Sequence, residues 1–328
     1  TNHGQNEKGG TKHGQNEYPR VSQPWCRTTR VQLFDDRAYA DPDLIDPLDD
    51  DEGLPRHLSP SSASTYDSCP RRWRFRYVDR LPDPPGEPAL AGTFAHRVLE
   101  LLFQLPPAER TIEQAKRIAR EVWPSTERDP NFQALGLDER GARAFRWKGW
   151  RAIEGLWALE DPTTVDVHAT EHHVVTTVGD VPFRGIVDRL DRAPDGSLEV
   201  TDYKSGRAPS VRFSDDRLSQ VLLYAAAVHA VTDERPRRAR LLYLGQRVID
   251  VEVTDAALEP VVESLHSTWR SLRDDLATGE FEPRPGPLCG WCPFADRCSE
   301  GSAEIQRRYD LGVLHDDAPA VPVVLRAS

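Results

Sequence analysis

Three observations predict an α/β fold built on a mixed sheet. Helical patterns fill the sequence from Leu58 to about Leu159, alternating strand patterns begin at Val165, and a long apolar helix, Ser214–Val231, crosses between two groups of strands.

The elements follow in order. Ser59–Ser64 (SPSSAS) is rich in N-cap residues and opens a short helix through Tyr66 and Cys69. The segment RRWRFRY, Arg71–Tyr77, interleaves cations with rings and has two readings of equal weight. In one, Arg71, Arg72, Arg74 and Arg76 bind phosphates while Trp73, Phe75 and Tyr77 stack on bases. In the other, a helix packs its aromatics and solvates its arginines. After a Pro-rich loop at Leu81–Pro88, Gly92–Leu105 reads as a helix with Phe94, Val98, Leu101 and Leu102 on one stripe. Thr111–Trp123 and Ala142–Leu159 are helical too. Val165–Val178, Pro182–Leu190 and Leu198–Tyr203 are strands joined as hairpins, with a turn at Pro194-Asp195-Gly196. Ala239–Leu244 and Val248–Val253 pair around Gly245, Val261–Ala277 is a helix, and a Pro/Gly/Cys segment, Pro283–Cys298, precedes loose chain after Tyr309.

The 328 residues carry 42 Lys+Arg against 53 Asp+Glu, a net charge of −11. Such a balance argues at first sight against a nucleic-acid partner. The charge is uneven, however. Asp35–Glu52 holds nine acids and one Arg, and Thr1–Arg30 is a polar arm with HGQNE repeated at His3–Glu7 and His13–Glu17. Both read as solvated, low-complexity chain. Residues 1–52 therefore supply −5 (+3 before Asp35, −8 after), leaving −6 for the rest. Some of those acids are candidate metal ligands, and bound divalent ions invert the local field, so acidity does not exclude DNA. The expected division is an arm at 1–57, a folded domain at 58–300 and a tail at 301–328. No apolar run approaches the roughly 20 residues of a membrane span, and no basic-then-apolar leader precedes the fold, so a cytoplasmic location is expected.

Five cysteines, an odd number without an export signal, argue against secreted disulfides. Cys289-x2-Cys292-x5-Cys298 has ligand spacing, and Cys69 is the best fourth ligand, since Cys26 lies in the arm. Thiolate count alone does not separate zinc from iron–sulfur. Either centre would tie Cys69 to the C-terminal segment across a very long loop.

Asp202-Tyr203-Lys204 ends one strand and Asp188 lies at the end of its neighbour, so a hairpin can bring both carboxylates to one edge. Such a pair suits Mg²⁺ or Mn²⁺. Lys204, one of only five lysines, lies on the same side of its strand as Asp202. His96 sits on the Gly92 helix, with Glu100 one turn on. Gln220 and Tyr224 share one helix face.

Taken in order, SASTYDSCPRRWRFRY, GTFAHRVLE, GIVDRLDR, PDG, DYKSG, QVLLYAAAV and CGWCPFADRC make this sequence resemble the RecB-like branch of the PD-(D/E)XK nucleases, over roughly Leu58–Cys298. It looks most like the iron–sulfur members, which include the AddB nuclease domain and CRISPR-associated exonucleases. The resemblance implies a restriction-endonuclease-like core, a mixed central sheet flanked by helices, with a helical insertion at about 106–162 and a four-Cys clamp. It implies His96, Asp188, Asp202 and the Tyr203 backbone carbonyl as ligands of Mg²⁺ or Mn²⁺, and Lys204 as catalytic lysine. Gln220 and Tyr224 match its Q-x-x-x-Y motif, and Glu171 falls where the family often carries Glu. Cys69, Cys289, Cys292 and Cys298 match its cluster ligands, favouring [4Fe–4S] over Zn²⁺. The implied activity is metal-dependent DNA exonuclease or single-strand nuclease in repair or recombination, beside a helicase or repair partner. The alternative is a non-catalytic DNA-binding scaffold within a helicase–nuclease complex, against which the intact His, Asp, Asp, Lys set argues. No P-loop G-x-x-x-x-G-K-[ST] is present, so no ATPase motor is expected in this sequence.

Overall fold

Ser59 caps the first helix, α1 (Pro60–Ser68). Its hydroxyl accepts from the Ser62 N–H at 3.1 Å, and the Ser62 hydroxyl accepts from the Ser59 N–H at 2.9 Å. This reciprocal cap satisfies two N–H groups that the helix itself leaves open. Cys69 ends α1 and begins α2 (Pro70–Tyr77), whose first-turn proline suits a position that needs no N–H partner. α3 (Glu87–Phe103), α4 (Ile112–Arg128), α5 (Pro130–Ala134) and α6 (Glu139–Glu154) follow. The computed structural model describes Thr1 and residues 55–209, 215–314 and 318–327. The repeat arm, the acidic stretch and Cys26 lie outside the described residues. The chain divides into two units, and all the elements belong to the second, Asp41–Ser328.

Strands β1 (Asp166–Val178), β2 (Val181–Arg192) and β3 (Leu198–Lys204) form an antiparallel meander. α7 (Asp215–Thr232) then crosses over, so that β4 (Arg238–Tyr243) lies parallel to β3, and β5 (Arg247–Glu252) closes the sheet antiparallel to β4. The order is β1-β2-β3-β4-β5. A two-residue turn cannot join parallel neighbours, which is why a helix stands between β3 and β4.

Helices cover both faces. On one, Leu198 and Val200 of β3 and Ala239 and Leu241 of β4 share a core with α7, with Tyr66 and Trp73 of the first two helices, and with α8 (Asp255–Thr278). On the other, Tyr203, Leu242 and Leu244 pack against α3, α4, α5 and α6. The alternation between the two sets is the period of a strand buried on both faces. Gly92 lets α3 approach the end of β3, since a Cβ there would lie 2.8 Å from the Ser205 hydroxyl.

Two sequence expectations change. Trp73 is fully buried and stacks on Phe281, with centroids 5.9 Å apart, between Tyr66 and Tyr77. It cannot meet a base, so the packing reading of RRWRFRY is the realised one for this residue. Tyr77 is buried with it, and Phe75 packs edge-on against Phe294. Arg71 Nε donates to the Phe281 carbonyl at 2.8 Å, Arg74 Nη1 donates to the Gly279 carbonyl at 3.0 Å, and Arg76 pairs with Asp83 at 3.6 Å. Arg71 and Arg72 line the cavity formed by the cysteines. Nor is the chain after Tyr309 loose throughout. Past α9 (Ser299–Asp310), α10 (Val321–Ala327) folds back, and Leu314, Ala318, Val321 and Val324 bury against Ala295 and Ile305. Among the described residues no helix is long and apolar enough to cross a membrane.

Candidate active site

The carboxylates arrive at one place by strand register. β2 and β3 pair Arg189 with Thr201, so one step further Asp188 stands opposite Asp202, as the hairpin reading anticipated. The Tyr203 backbone N–H donates to Asp188 Oδ2 at 2.7 Å. His96, carried in by α3, places Nδ1 3.5 Å from the same oxygen and sets its ring edge-on to Tyr203. Asp202 and Lys204, two apart on β3, both face α7. Lys204 Nζ lies 2.7 Å from Asp202 Oδ2 and donates to Gln220 Oε1 at 2.9 Å. The ion pair is off hydrogen-bonding angle, so Oδ2 is buried without an aligned donor. Gln220 Nε2 in turn donates to Asp202 Oδ1 at 3.3 Å and to the Tyr224 hydroxyl at 3.4 Å. One amide thus fixes the aspartate, the lysine and the tyrosine. Gly185 makes room beneath Tyr224, because a Cβ would sit 2.5 Å from the ring.

Glu171 lies across from Asp188, and the β1–β2 ladder passes over this step. Glu171 has φ +45°, a left-handed value costly for a residue with a Cβ. At the same step the alternation of β2 slips: Val187 and Leu190, three apart, join the same core. The irregularity re-aims side chains at the site, as bulges do.

The electrostatics follow from crowding. Burial, Asp188 and Glu100 push the Glu171 carboxyl up to about 8. Burial and Asp188 push Asp202 up to about 6 against the pull of Lys204. Burial alone would lower His96, but the Asp188 carboxylate outweighs it and raises the imidazole to about 9. Burial opposes the ionised forms of Asp188 and Lys204 too, yet His96 holds Asp188 down and Asp202 holds Lys204 up. Carboxylates packed this closely are stabilised by added positive charge.

Sequence reasoning passed over the support beneath the site. Arg189 is fully buried. Its guanidinium pairs with Glu160 at 2.7 Å and Asp191 at 2.8 Å, donates to the Tyr203 hydroxyl at 2.7 Å, and lies 4.1 Å from the Phe103 ring centroid. The available signal was Asp191 two residues on from Arg189, the spacing that puts both on one side of a strand.

At the other end of the domain, Cys69, Cys289, Cys292 and Cys298 line one cavity of about 50 Å³. Backbone N–H groups of Arg284, Gly286 and Gly301 donate to the sulfurs of Cys69, Cys289 and Cys298 at 3.5, 3.4 and 3.3 Å. A Cβ at Gly301 would come within 3.2 Å of Cys298 Sγ and 3.9 Å of Cys289 Sγ. Burial pushes the Cys292 and Cys298 thiols up; a cation would reverse that preference. Among the described residues no group of three or more His, Cys, Asp or Glu side chains is arranged so that it could hold a metal ion.

A helix-covered mixed sheet thus brings Asp188, within β2, beside Asp202 and Lys204 at the end of β3. The chain belongs to the PD-(D/E)XK nuclease superfamily, whose family model matches residues 57–299. A gene 69 protein of Mycobacterium phage D29 is 24% identical over 73% of this chain and 95% of its own. One component of an ATP-dependent helicase/deoxyribonuclease of Streptococcus agalactiae is 27% identical over 47% of this chain but only 14% of its own length. A crystal structure from Eubacterium rectale, provisionally described as an exonuclease, is 13% identical and covers 72% of this chain and 87% of that one, with a TM-score of 0.46.

Proposed function

We propose that this protein is a metal-dependent deoxyribonuclease that removes nucleotides from single-stranded DNA or free DNA ends, in repair or recombination. The observation that carries the reading is that the Tyr203 N–H bond to Asp188 sets the Asp188–His96 pair beside the Asp202–Lys204–Gln220 group on neighbouring strands. His96, Asp188, Asp202 and the Tyr203 carbonyl are the donors that would hold Mg²⁺ or Mn²⁺, a hard oxygen-rich set with one imidazole. The chemistry a bound divalent ion supplies there is polarisation of the scissile phosphate and a lowered pKa for a bound water.

Lys204 is fixed at two points, so its ammonium reaches a non-bridging phosphate oxygen, or the attacking water, without reorganisation. Gln220 holds Asp202 and Lys204 in mutual register, and Tyr224 extends that support. Arg189 ties the Tyr203 ring to Asp191 and Glu160, which steadies the backbone between the two β3 site residues. Cys69, Cys289, Cys292 and Cys298 would hold a [4Fe–4S] cluster with a structural role. The helicase/deoxyribonuclease proteins that share this region support a partner that delivers unwound DNA in the cytoplasm.

End-labelled single- and double-stranded DNA, incubated with Mn²⁺ or Mg²⁺, tests the assignment. Degradation is expected for the parent and at least about a hundredfold less for Asp202→Ala and Lys204→Ala, with unchanged circular dichroism. Parental activity in both variants defeats the assignment and favours the scaffold reading.

A further inference from the structure

We propose that the groove between α4 and α6 is a second nucleic-acid contact, which binds single-stranded DNA away from the scissile position. The proposal rests on the reading of DNA as substrate but uses none of the catalytic residues. Phe94, Lys116, Arg120, Trp123, Arg146 and Trp150 line a cavity of about 350 Å³, and no acidic side chain joins them. Arg146 lies 4.8 Å from the Trp123 ring centroid, and Lys116 lies 5.8 Å from that of Trp150.

The charge arrangement singles this groove out. Among the other cations of the same helices, Arg117 pairs with Glu121, Arg143 with Glu139, Lys148 with Glu87 and Arg151 with Glu154, Arg128 donates to the Pro124 carbonyl, and Arg140 lies outside the cavity. Lys116, Arg120 and Arg146 have no ion-pair partner among the described residues. In a chain of net charge −11, three uncompensated cations converging on one cavity form a local attractor for an anion.

The rings say which anion. Trp150 offers a half-exposed indole beside the cations, and Trp147, 62% exposed with Arg151 5.9 Å from its centroid, continues the pattern outside the cavity. Arg146, Trp147 and Trp150 follow three- and four-residue spacing on the solvent face of α6, flanked by the Arg143–Glu139 and Arg151–Glu154 pairs. The opposite face, with Phe145, Gly149 and Ile153, is buried. Unpaired cations for phosphates beside indole faces for bases fit a polynucleotide with unstacked bases. A duplex hides its base faces, and an acidic peptide has no use for the indoles.

The position separates this contact from catalysis. Phe94 lines the groove and His96 reaches the active site, two residues apart on α3 and therefore on opposite sides of it. A helix with its side chains is about 10 Å thick. A strand engaging both sites must span that distance, so only longer oligonucleotides gain from the groove.

Anisotropy of a fluorescein-labelled oligothymidine, measured with the full chain in EDTA across a salt series, tests the proposal. Lys116→Gln, Arg120→Gln and Arg146→Gln are each expected to weaken binding and to lower the salt slope by about one. Trp150→Ala is expected to weaken binding about tenfold and leave the slope unchanged. Arg146→Lys should keep the slope, and thermal melts check folding. With cleavable DNA, KM for a long strand should rise about tenfold in Trp150→Ala while kcat holds. Lys116 and Arg120 are exposed, so their variants remain informative if Trp150→Ala does not fold. Unchanged affinity in all the charge variants overturns the proposal, as does a parent that binds no single strand. Equal displacement of the probe by polyglutamate, with no effect of Trp150→Ala, overturns it in favour of an acidic protein partner. A parent that shows the expected slopes but cleaves nothing with Mg²⁺ or Mn²⁺ supports the groove and overturns the nuclease reading instead.

Discussion

Gln220 is the residue on which the site's geometry turns. Its amide oxygen accepts a hydrogen bond from Lys204, and its amide nitrogen donates to Asp202 and Tyr224. Removing it leaves Lys204 tied only to Asp202, free to collapse onto the carboxylate that it should share with a ligand. Gln220→Ala is therefore expected to lower kcat by about a hundredfold, the cost of misplacing a catalytic group by about 1 Å, with KM and the melting temperature little changed. Single-turnover kinetics beside a melt check it; a variant with parental kcat removes Gln220 from the positioning role. Asp188, Asp202 and Lys204 were legible because strand alternation and a hairpin turn are local facts. The hydrogen bond from Lys204 to Gln220 was not, since it joins a strand end to a helix 16 residues on. The buried Arg189 was harder still. An Arg in a strand reads as solvent-facing unless Glu160, Asp191 and Tyr203 are already known to surround it.

At the scale of the element, α2 shows why an interleaved cation–aromatic sequence is ambiguous. RRWRFRY permits either face to turn inward, and what decides is the partner surface. Phe281, more than two hundred residues later, lies flat on Trp73, and Tyr66 and Tyr77 enclose it. The arginines then find carbonyls at the end of α8 and beyond instead of phosphates: Arg71 at Phe281 and Arg74 at Gly279. α2 is consequently a tie between the first helices and the start of the cysteine segment. Trp73→Ala would leave a large cavity there and is expected to destabilise the domain by about 3–5 kcal/mol. Arg74→Ala, on the partly exposed side, should cost about 1 kcal/mol or less. Urea denaturation of the two variants separates the readings, because a base-stacking Trp73 would lose DNA affinity while keeping its midpoint.

For the whole molecule, the mixed sheet flanked by helices was readable from the alternation of apolar positions and the crossover helix, and so was a hairpin able to bring Asp188 and Asp202 to one edge. The closure of the molecule was not readable. α10 turns back so that the Ala320 N–H donates to the Gly290 carbonyl at 3.0 Å, and Leu314 and Ala318 pack over Gly290, covering the cysteine segment. The segment after Tyr309 is short and rich in Asp, Ala and Pro, and its apolar residues make sense only once Ala295 and Ile305 stand beneath them.

This closure bears on the four cysteines. They draw the end of α1 and the segment after α8 around one cavity, and backbone N–H groups already point at three of the sulfurs. A cluster held by all four would close a loop of about 220 residues between Cys69 and Cys289, and the entropy removed from the unfolded chain would favour the fold by about 4 kcal/mol or more if it acted as a covalent cross-link does. Since serine is a poor ligand for iron or zinc, Cys292→Ser is expected to lower the melting temperature by about 10 °C while leaving the Asp188–Asp202–Lys204 site able to cleave DNA below that temperature. Anaerobic purification with iron, sulfide and zinc assays, followed by calorimetry of parent and variant, checks each part. About four iron and four sulfide per chain identify the cubane, zinc alone replaces it with a structural zinc site, and a variant that melts with the parent refutes the clamp whatever the metal.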